Sequence, residues 1–213
     1  MKENTLLKKT HADHYREIEN YYSPKIRDGV PDYQILGWEN RQAHLSRFQT
    51  LLKKVDLSGK TILDIGCGLG TLYDFIIENK TDVKYTGVDI LEEMIKKARE
   101  RHNDVEFSCL DIFDEKTVFN RKFDIVFASG IYNLDLGNNM QFIKKTLEKF
   151  FILADKIIAF NLLHMDSENR EDRYFYSSPS EINKLLMDFE GKFQEAEFYH
   201  SYLKNDFTVI IRL

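Results

Sequence analysis

The chain has 213 residues, 43% of them hydrophobic and 31% charged, an ordinary globular composition that can bury a core without disulfide or metal staples. Thirty basic against 35 acidic side chains give a net charge of −5, and no basic stripe stands out, which disfavours a nucleic-acid partner. Cys67 and Cys109 both fall in predicted core elements and are too few for a disulfide scaffold or a zinc cluster, so no metal is expected. The charged first ten residues lack the apolar core of a signal peptide, and no apolar run approaches the roughly 18 residues that span a bilayer. These features predict a soluble, cytoplasmic protein without a membrane partner.

The chain changes character near Leu57-Ser58-Gly59-Lys60, and 1–57 is expected to form an N-terminal helical cap on an α/β domain of 58–213. Within the cap, His11 to Tyr22 reads as a helix. Ser23-Pro24 and Gly29-Val30-Pro31 mark irregular chain. Ala43, Phe48, Leu51, Leu52 and Val55 recur at helical spacing, which predicts an amphipathic helix over Arg41 to Val55.

From Lys60, strands and helices alternate. Apolar strands are predicted over 61–65, 84–89, 105–109, 123–128 and 156–161, with helices over 71–79, 91–101 and 141–151 between them. Near-continuous apolar strands in such alternation form a parallel sheet covered on both faces. The sequence Ser178-Pro179-Ser180-Glu181 is a capping box with proline at the first helical position. After it, 193–203 and 207–213 are β-rich runs parted by Lys204-Asn205-Asp206, the pattern of an antiparallel hairpin closing the sheet.

In an open parallel sheet, ligands bind beyond the carboxyl ends of the strands, where strand order reverses. The first predicted strand runs there into Asp64-Ile65-Gly66-Cys67-Gly68-Leu69-Gly70. Glycines suit a place where backbone turns sharply and must approach a ligand closely. Asp89 ends the second strand about 20 residues on, where a carboxylate can accept from both hydroxyls of a ribose. Asp64 decides the kind of nucleoside. A pyrophosphate at this turn would be repelled by that carboxylate, whereas a ligand carrying an ammonium beside a sulfonium would be attracted. Thr71 also stands where a dinucleotide fingerprint needs its last glycine, which argues against a nicotinamide oxidoreductase.

Leu63 to Gly70, taken with Asp89 and Asp111, resembles the class I S-adenosylmethionine-dependent methyltransferases, and the wider pattern looks like their small stand-alone members of undefined substrate. The resemblance covers about 60–213. It implies a doubly wound, mostly parallel seven-stranded sheet with an antiparallel C-terminal strand, a Rossmann-like methyltransferase fold, with S-adenosylmethionine (SAM) as cofactor and S-adenosylhomocysteine (SAH) as product. Carried over, Asp64, Gly66, Cys67, Gly68 and Gly70 would surround the methionine part. Asp89 would hold the ribose, with Ile90 and Met94 near the adenine. Asp111 would accept from the adenine amino group beside the Ile112 amide, and Ser129 and Gly130 would face the acceptor. By analogy with caps of such enzymes, Tyr22, Trp38 and Arg47 would close the site, the arginine meeting the cofactor carboxylate.

Methyl transfer from a sulfonium needs alignment more than acid–base help, since the leaving group is already activated. Tyr132 and His164 are the candidates for a base, and Tyr132, Asn133, Arg173 and Tyr176 the candidates for the acceptor pocket. Arg170 and Arg173, in the polar loop 165–177, offer cations for a carboxylate or phosphate. A small-molecule acceptor is expected, and the oligomeric state stays open. The competing reading is a SAM-binding regulatory or scaffold protein without transfer activity.

Overall fold

The computed structural model describes residues 10–213; the charged segment 1–9 lies outside the described residues. Helix α1 (His11–Tyr22) starts at a capping box in which Thr10 and Asp13 satisfy each other's backbone donors. The predicted irregular stretch also contains a single-turn helix, α2 (Asp32–Ile35), led in by Pro31 at its N-cap. It is too short to show a periodicity in sequence. Helix α3 (Arg41–Lys54) is capped by Asn40, whose side chain accepts from the Ala43 N–H at 2.8 Å.

The sheet then unfolds in chain order: β1 (Lys60–Ile65), α4 (Thr71–Glu78), β2 (Val83–Asp89), α5 (Glu92–Arg101), β3 (Glu106–Cys109), β4 (Phe123–Ala128), α6 (Asn139–Leu153) and β5 (Ala154–His164). Next come β6 (Tyr176–Ser177), α7 (Pro179–Leu186), β7 (Glu195–Tyr199) and β8 (Asp206–Arg212). The strand order is β3-β2-β1-β4-β5-β8-β7. The strands from β3 to β5 pair in parallel. β8 runs antiparallel to both β5 and β7, as the closing hairpin predicts. Two-residue β6 adds a short parallel rung on β5. The sequence pattern did not reveal it, because two residues carry no alternation.

Order reverses at β1, which lies between β2 and β4. Its register sets Asp64 level with Gly87 on one side and Phe127 on the other, and Ile65 level with Val88 and Ala128. Asp64 and the last residue of β2, Asp89, therefore emerge at the same end of the sheet.

The cap region holds two kinds of element. Phe48 and Leu51 of α3, with Val55 and Leu57, pack in one cluster with Ile62, Leu72, Phe75, Ile125 and Phe127 of the α/β part. Leu51 is fully buried, and burial of such a side chain contributes about 1.5–3 kcal/mol. Packing is thus continuous across residue 57. Ile35 of α2 joins Leu69, Leu91 and Met94 in a separate cluster, against which Ile18 and Tyr22 of α1 pack. That cluster sits over the strand ends rather than beneath the sheet.

One expectation fails here. Cys109 is exposed, not core, because it ends β3 at the edge of the sheet; only Cys67 is buried.

Candidate cofactor site

Three segments converge where the strand order reverses: the turn after β1, the end of β2, and the loop after β4. Gly66 has φ +75°, and a Cβ there would overlap Cγ2 of Ile131, so this position disfavours a side chain on two counts. The Gly68 N–H donates to Asp89 Oδ2 at 2.9 Å, and the Leu91 N–H donates to Oδ1 at 3.0 Å. Two backbone donors thus hold the carboxylate in one orientation, while each oxygen keeps a lone pair for a ligand hydroxyl.

Asp64 is 3% exposed, and the Tyr85 hydroxyl donates to its Oδ2 at 2.6 Å. Burial pushes its pKa up to about 7, against the lowering effect of Tyr85 and with a further rise from Asp89. Asp89 is also raised, by burial, against its backbone hydrogen bonds. Two carboxylates whose ionisation burial penalises thus face one region at the strand ends. Cys67 beside them is inert, since burial and the same carboxylates push its thiol pKa well above the ordinary value.

These groups open into a single cavity. Asp64, Gly66, Cys67, Gly68, Asp89, Ile90, Met94, Asp111, Ile112, Ser129, Gly130, Tyr22 and Trp38 all line it. The Ser129 hydroxyl is buried beside the cavity and has no hydrogen-bond partner among the described residues. Asp111 accepts from the Phe113 N–H at 2.8 Å through Oδ1 and meets His11 Nε2 through Oδ2, so it both shapes its turn and fastens α1.

Other expected residues do not line the cavity. Gly70 stands behind the turn as the N-cap of α4, with φ +78° and the Phe107 ring 2.9 Å from where a Cβ would be. Arg47 is 2% exposed and is committed elsewhere. Its Nε and Nη2 donate to Asp206 Oδ2 at 2.9 and 2.5 Å, and its Nη1 donates to the Ala43 carbonyl. Asp206 also accepts from Asn161 Nδ2 at 3.1 Å, and Asn161 Oδ1 accepts from the Gly130 N–H at 3.2 Å. The arginine is thus linked to the site through this chain, which ties α3 to the loop after β4, and does not line the cavity itself. Sequence spacing could not show Asp206 as its partner, 159 residues away.

Tyr132 turns into the core, with its ring against Phe142 and Phe160, and burial raises the pKa of its hydroxyl. Asn133 is buried in the turn after β4, where its N–H donates to the Gly130 carbonyl at 3.2 Å. His164 Nδ1 accepts from the Asp166 N–H at 3.1 Å, and its ring packs edge-on to Phe207. Arg173 Nε pairs with Glu171 at 3.1 Å in an exposed position, and the Tyr176 hydroxyl accepts from the Glu171 N–H at 3.0 Å.

The cavity also gathers residues that sequence reasoning missed: His11, His14, Tyr15 and Ile18 of α1, His44 and Phe48 of α3, and Phe113 and Phe142. His44 was findable, because it shares a helical face with Phe48 at i, i+4. Its ring stacks on Trp38 at 5.6 Å, and its Nε2 lies 3.3 Å from the Thr71 hydroxyl. Burial and the nearby Arg47 push its pKa down to about 3, so the ring is neutral. Trp38 in turn lies under the Arg47 guanidinium, 3.7 Å from ring centroid to Cζ.

Among the described residues, no group of histidine, cysteine and carboxylate side chains could hold a metal ion. No helix among them is long and apolar enough to cross a membrane.

Strand order, glycine turn and paired carboxylates define a doubly wound domain whose cavity opens at the switch point of its sheet. The model of the methyltransferase-domain family matches residues 56–206, and the chain belongs to that family. Over 129 residues the chain is 36% identical to a malonyl-acyl-carrier-protein O-methyltransferase of Acetivibrio thermocellus; the match takes in 56% of this chain and 45% of that protein. The chain therefore spans less than half the length of this curated relative. Its fold is that of solved methyltransferases. It superposes on DhpI in complex with SAH with a TM-score of 0.67 at 16% identity, covering 96% of this chain and 98% of that one. It superposes on the magnesium protoporphyrin IX methyltransferase of Synechocystis PCC 6803 with bound SAM with a TM-score of 0.57 at 17% identity, covering 96% and 92%.

Proposed function

We propose that this protein binds SAM in the cavity and transfers its methyl group to a small-molecule acceptor. The observation that carries the reading is the pairing of Asp64 and Asp89 at one end of adjacent strands, on either side of a turn that disfavours a side chain at Gly66. SAM fits that donor set. Its ribose offers two hydroxyls to a carboxylate whose orientation is already set, and its amino-acid end offers a cation to a buried carboxylate that lacks one. The family membership and the SAM- and SAH-bound structures of like fold support the same ligand.

When bound, SAM supplies a methyl group on an already activated sulfonium. The residues here then bind, orient and keep water out. Asp89 would hold the ribose; Ile90, Leu91 and Met94 would pack on the adenosine; Asp111 and the Ile112 amide would meet the adenine edge; Ser129 would turn its free hydroxyl to the cofactor's reactive end. Tyr15, Ile18 and Tyr22 of α1 cover the cavity, and exclusion of water with alignment of reactants can supply roughly 7–11 kcal/mol of barrier lowering. No base is assigned. His14 and His44 reach the cavity, but the low pKa of His44 leaves it a hydrogen-bonding group rather than a proton acceptor.

Calorimetric titration with SAH tests the reading. Saturable binding is expected, together with a loss of about 100-fold or more in Asp89→Ala, equivalent to two lost charge-assisted hydrogen bonds. Absence of binding to the wild-type chain at millimolar SAH would falsify the assignment.

A further inference from the structure

The cavity and its rim differ in charge. Among the described residues that line the cavity, the only charged groups are the carboxylates Asp64, Asp89 and Asp111 and any histidine that takes a proton; no lysine or arginine is there. Cations stand just outside, beside Tyr22 and Leu134, which do line it. The Lys25 ammonium lies 3.1 Å from the centroid of the Tyr21 ring and 5.7 Å from that of Tyr22. The Tyr21 hydroxyl lies against Gly37, between cavity residues Leu36 and Trp38. It shares a 2.6 Å hydrogen bond with the hydroxyl of Tyr174. Tyr174 forms a β-bridge with Leu134, and the Arg173 carbonyl accepts from the Asp135 N–H at 2.9 Å. The end of α1 and the loop 165–177 thus join through the tyrosine pair, and the join brings Lys25 close to Arg173.

Lys25 is half-buried and has no ion pair among the described residues. Desolvation, then the charge of Arg173, push its pKa down to about 8. Among the described residues Arg173 forms an ion pair with the exposed Glu171 alone, through Nε, an interaction of little strength in water. A half-buried lysine and an exposed arginine that repel each other are stabilised by an anion between them, with the arginine presenting a planar fork and the lysine a point charge.

We propose that Lys25 and Arg173 bind an anionic group of the acceptor, a carboxylate or a phosphate, at the rim, while the apolar remainder of the acceptor lies in the cation-free cavity. The proposal rests on the methyl-transfer reading of that cavity. It makes Lys25 and Arg173 specificity residues that never touch the cofactor.

The test titrates the full chain with hexanoate and with hexyl phosphate, each against 1-hexanol, in the presence and in the absence of saturating SAH. At least one anion is expected to bind about tenfold or more tightly than the alcohol. The double variant Lys25→Gln/Arg173→Gln should lose that advantage and keep its affinity for SAH, and Lys25→Arg should retain both. The two anion arms show whether carboxylate or phosphate is preferred. Equal binding of anion and alcohol, no anion binding at all, or a preference that survives the double variant overturns the proposal. Failure of SAH to bind would instead overturn the cofactor reading, and the titrations without SAH would still decide the anion site. Both side chains reach solvent, so urea unfolding of the variants should match the wild type.

Discussion

Asp64 shows how one buried carboxylate can link pH to ligand binding. Its pKa of about 7, against an ordinary 3.8, means the folded protein without ligand prefers the protonated form. The folded state therefore loses stability as pH rises between about 4 and 7, and the loss levels off above that range. A cationic ligand reverses the preference, because only the ionised carboxylate attracts it. SAM affinity should accordingly weaken as pH falls below 7, by up to about tenfold per pH unit. Calorimetry between pH 5.5 and 8 checks this. Asp64→Asn, which can still accept from Tyr85, should flatten the profile and bind SAM at the low-pH affinity throughout. At this scale the sequence was most informative. The positions of Asp64, Asp89, Gly66 and Gly68 along the cavity were legible because strand ends and glycine turns are local features, whereas Gly70 stands behind the turn. Arg47, Tyr132 and His164 were not, because side-chain direction and distant partners such as Asp206 and Phe207 decide what a polar group meets.

At the scale of elements, the glycine turn and helix α1 act as opposite walls of the cavity. The turn is rigid by exclusion. Gly66→Ala must adopt φ near +75° and displace Ile131, a strain of about 1–3 kcal/mol that falls on the turn beneath the ligand. The variant should unfold at lower urea and bind SAH about tenfold or more weakly, whereas a turn that merely connected strand to helix would show the stability loss alone. Helix α1 is held mainly by apolar contacts of Ile18 and Tyr22. Its His11–Asp111 contact is half-exposed and contributes less than about 1 kcal/mol. Element positions were readable throughout the alternating region, since periodicity and caps such as Ser178 with Glu181 are local. Helix α2 and strand β6 escaped because elements of four and two residues carry no period.

For the whole molecule, the Arg47–Asp206 pair joins the first half of the chain to the last strand inside the core, both side chains being at most 2% exposed. Asp206 keeps a raised pKa from burial despite that arginine. Removal of one partner strands the other charge, so Arg47→Met should destabilise the fold by about 3–5 kcal/mol, read as a lower urea midpoint. If Arg47 instead held the cofactor carboxylate, SAH affinity would fall while stability changed little. SAH at about 100 times its Kd should add about 2.7 kcal/mol to either protein, because ligand binds the folded chain alone.

The doubly wound sheet, its closing hairpin and the position of the glycine turn between two carboxylates were determined by the sequence itself, through strand-to-helix alternation and residue type at the strand ends. Those features are local, or repeat with the period of the backbone. Only the tertiary structure decided which cap residues line the cavity, that Arg47 is a core ion pair, and that a Tyr21–Tyr174 hydrogen bond joins the segments that carry Lys25 and Arg173. The last two depend on contacts between segments more than 100 residues apart, and all three on packing and desolvation rather than spacing to choose the partner.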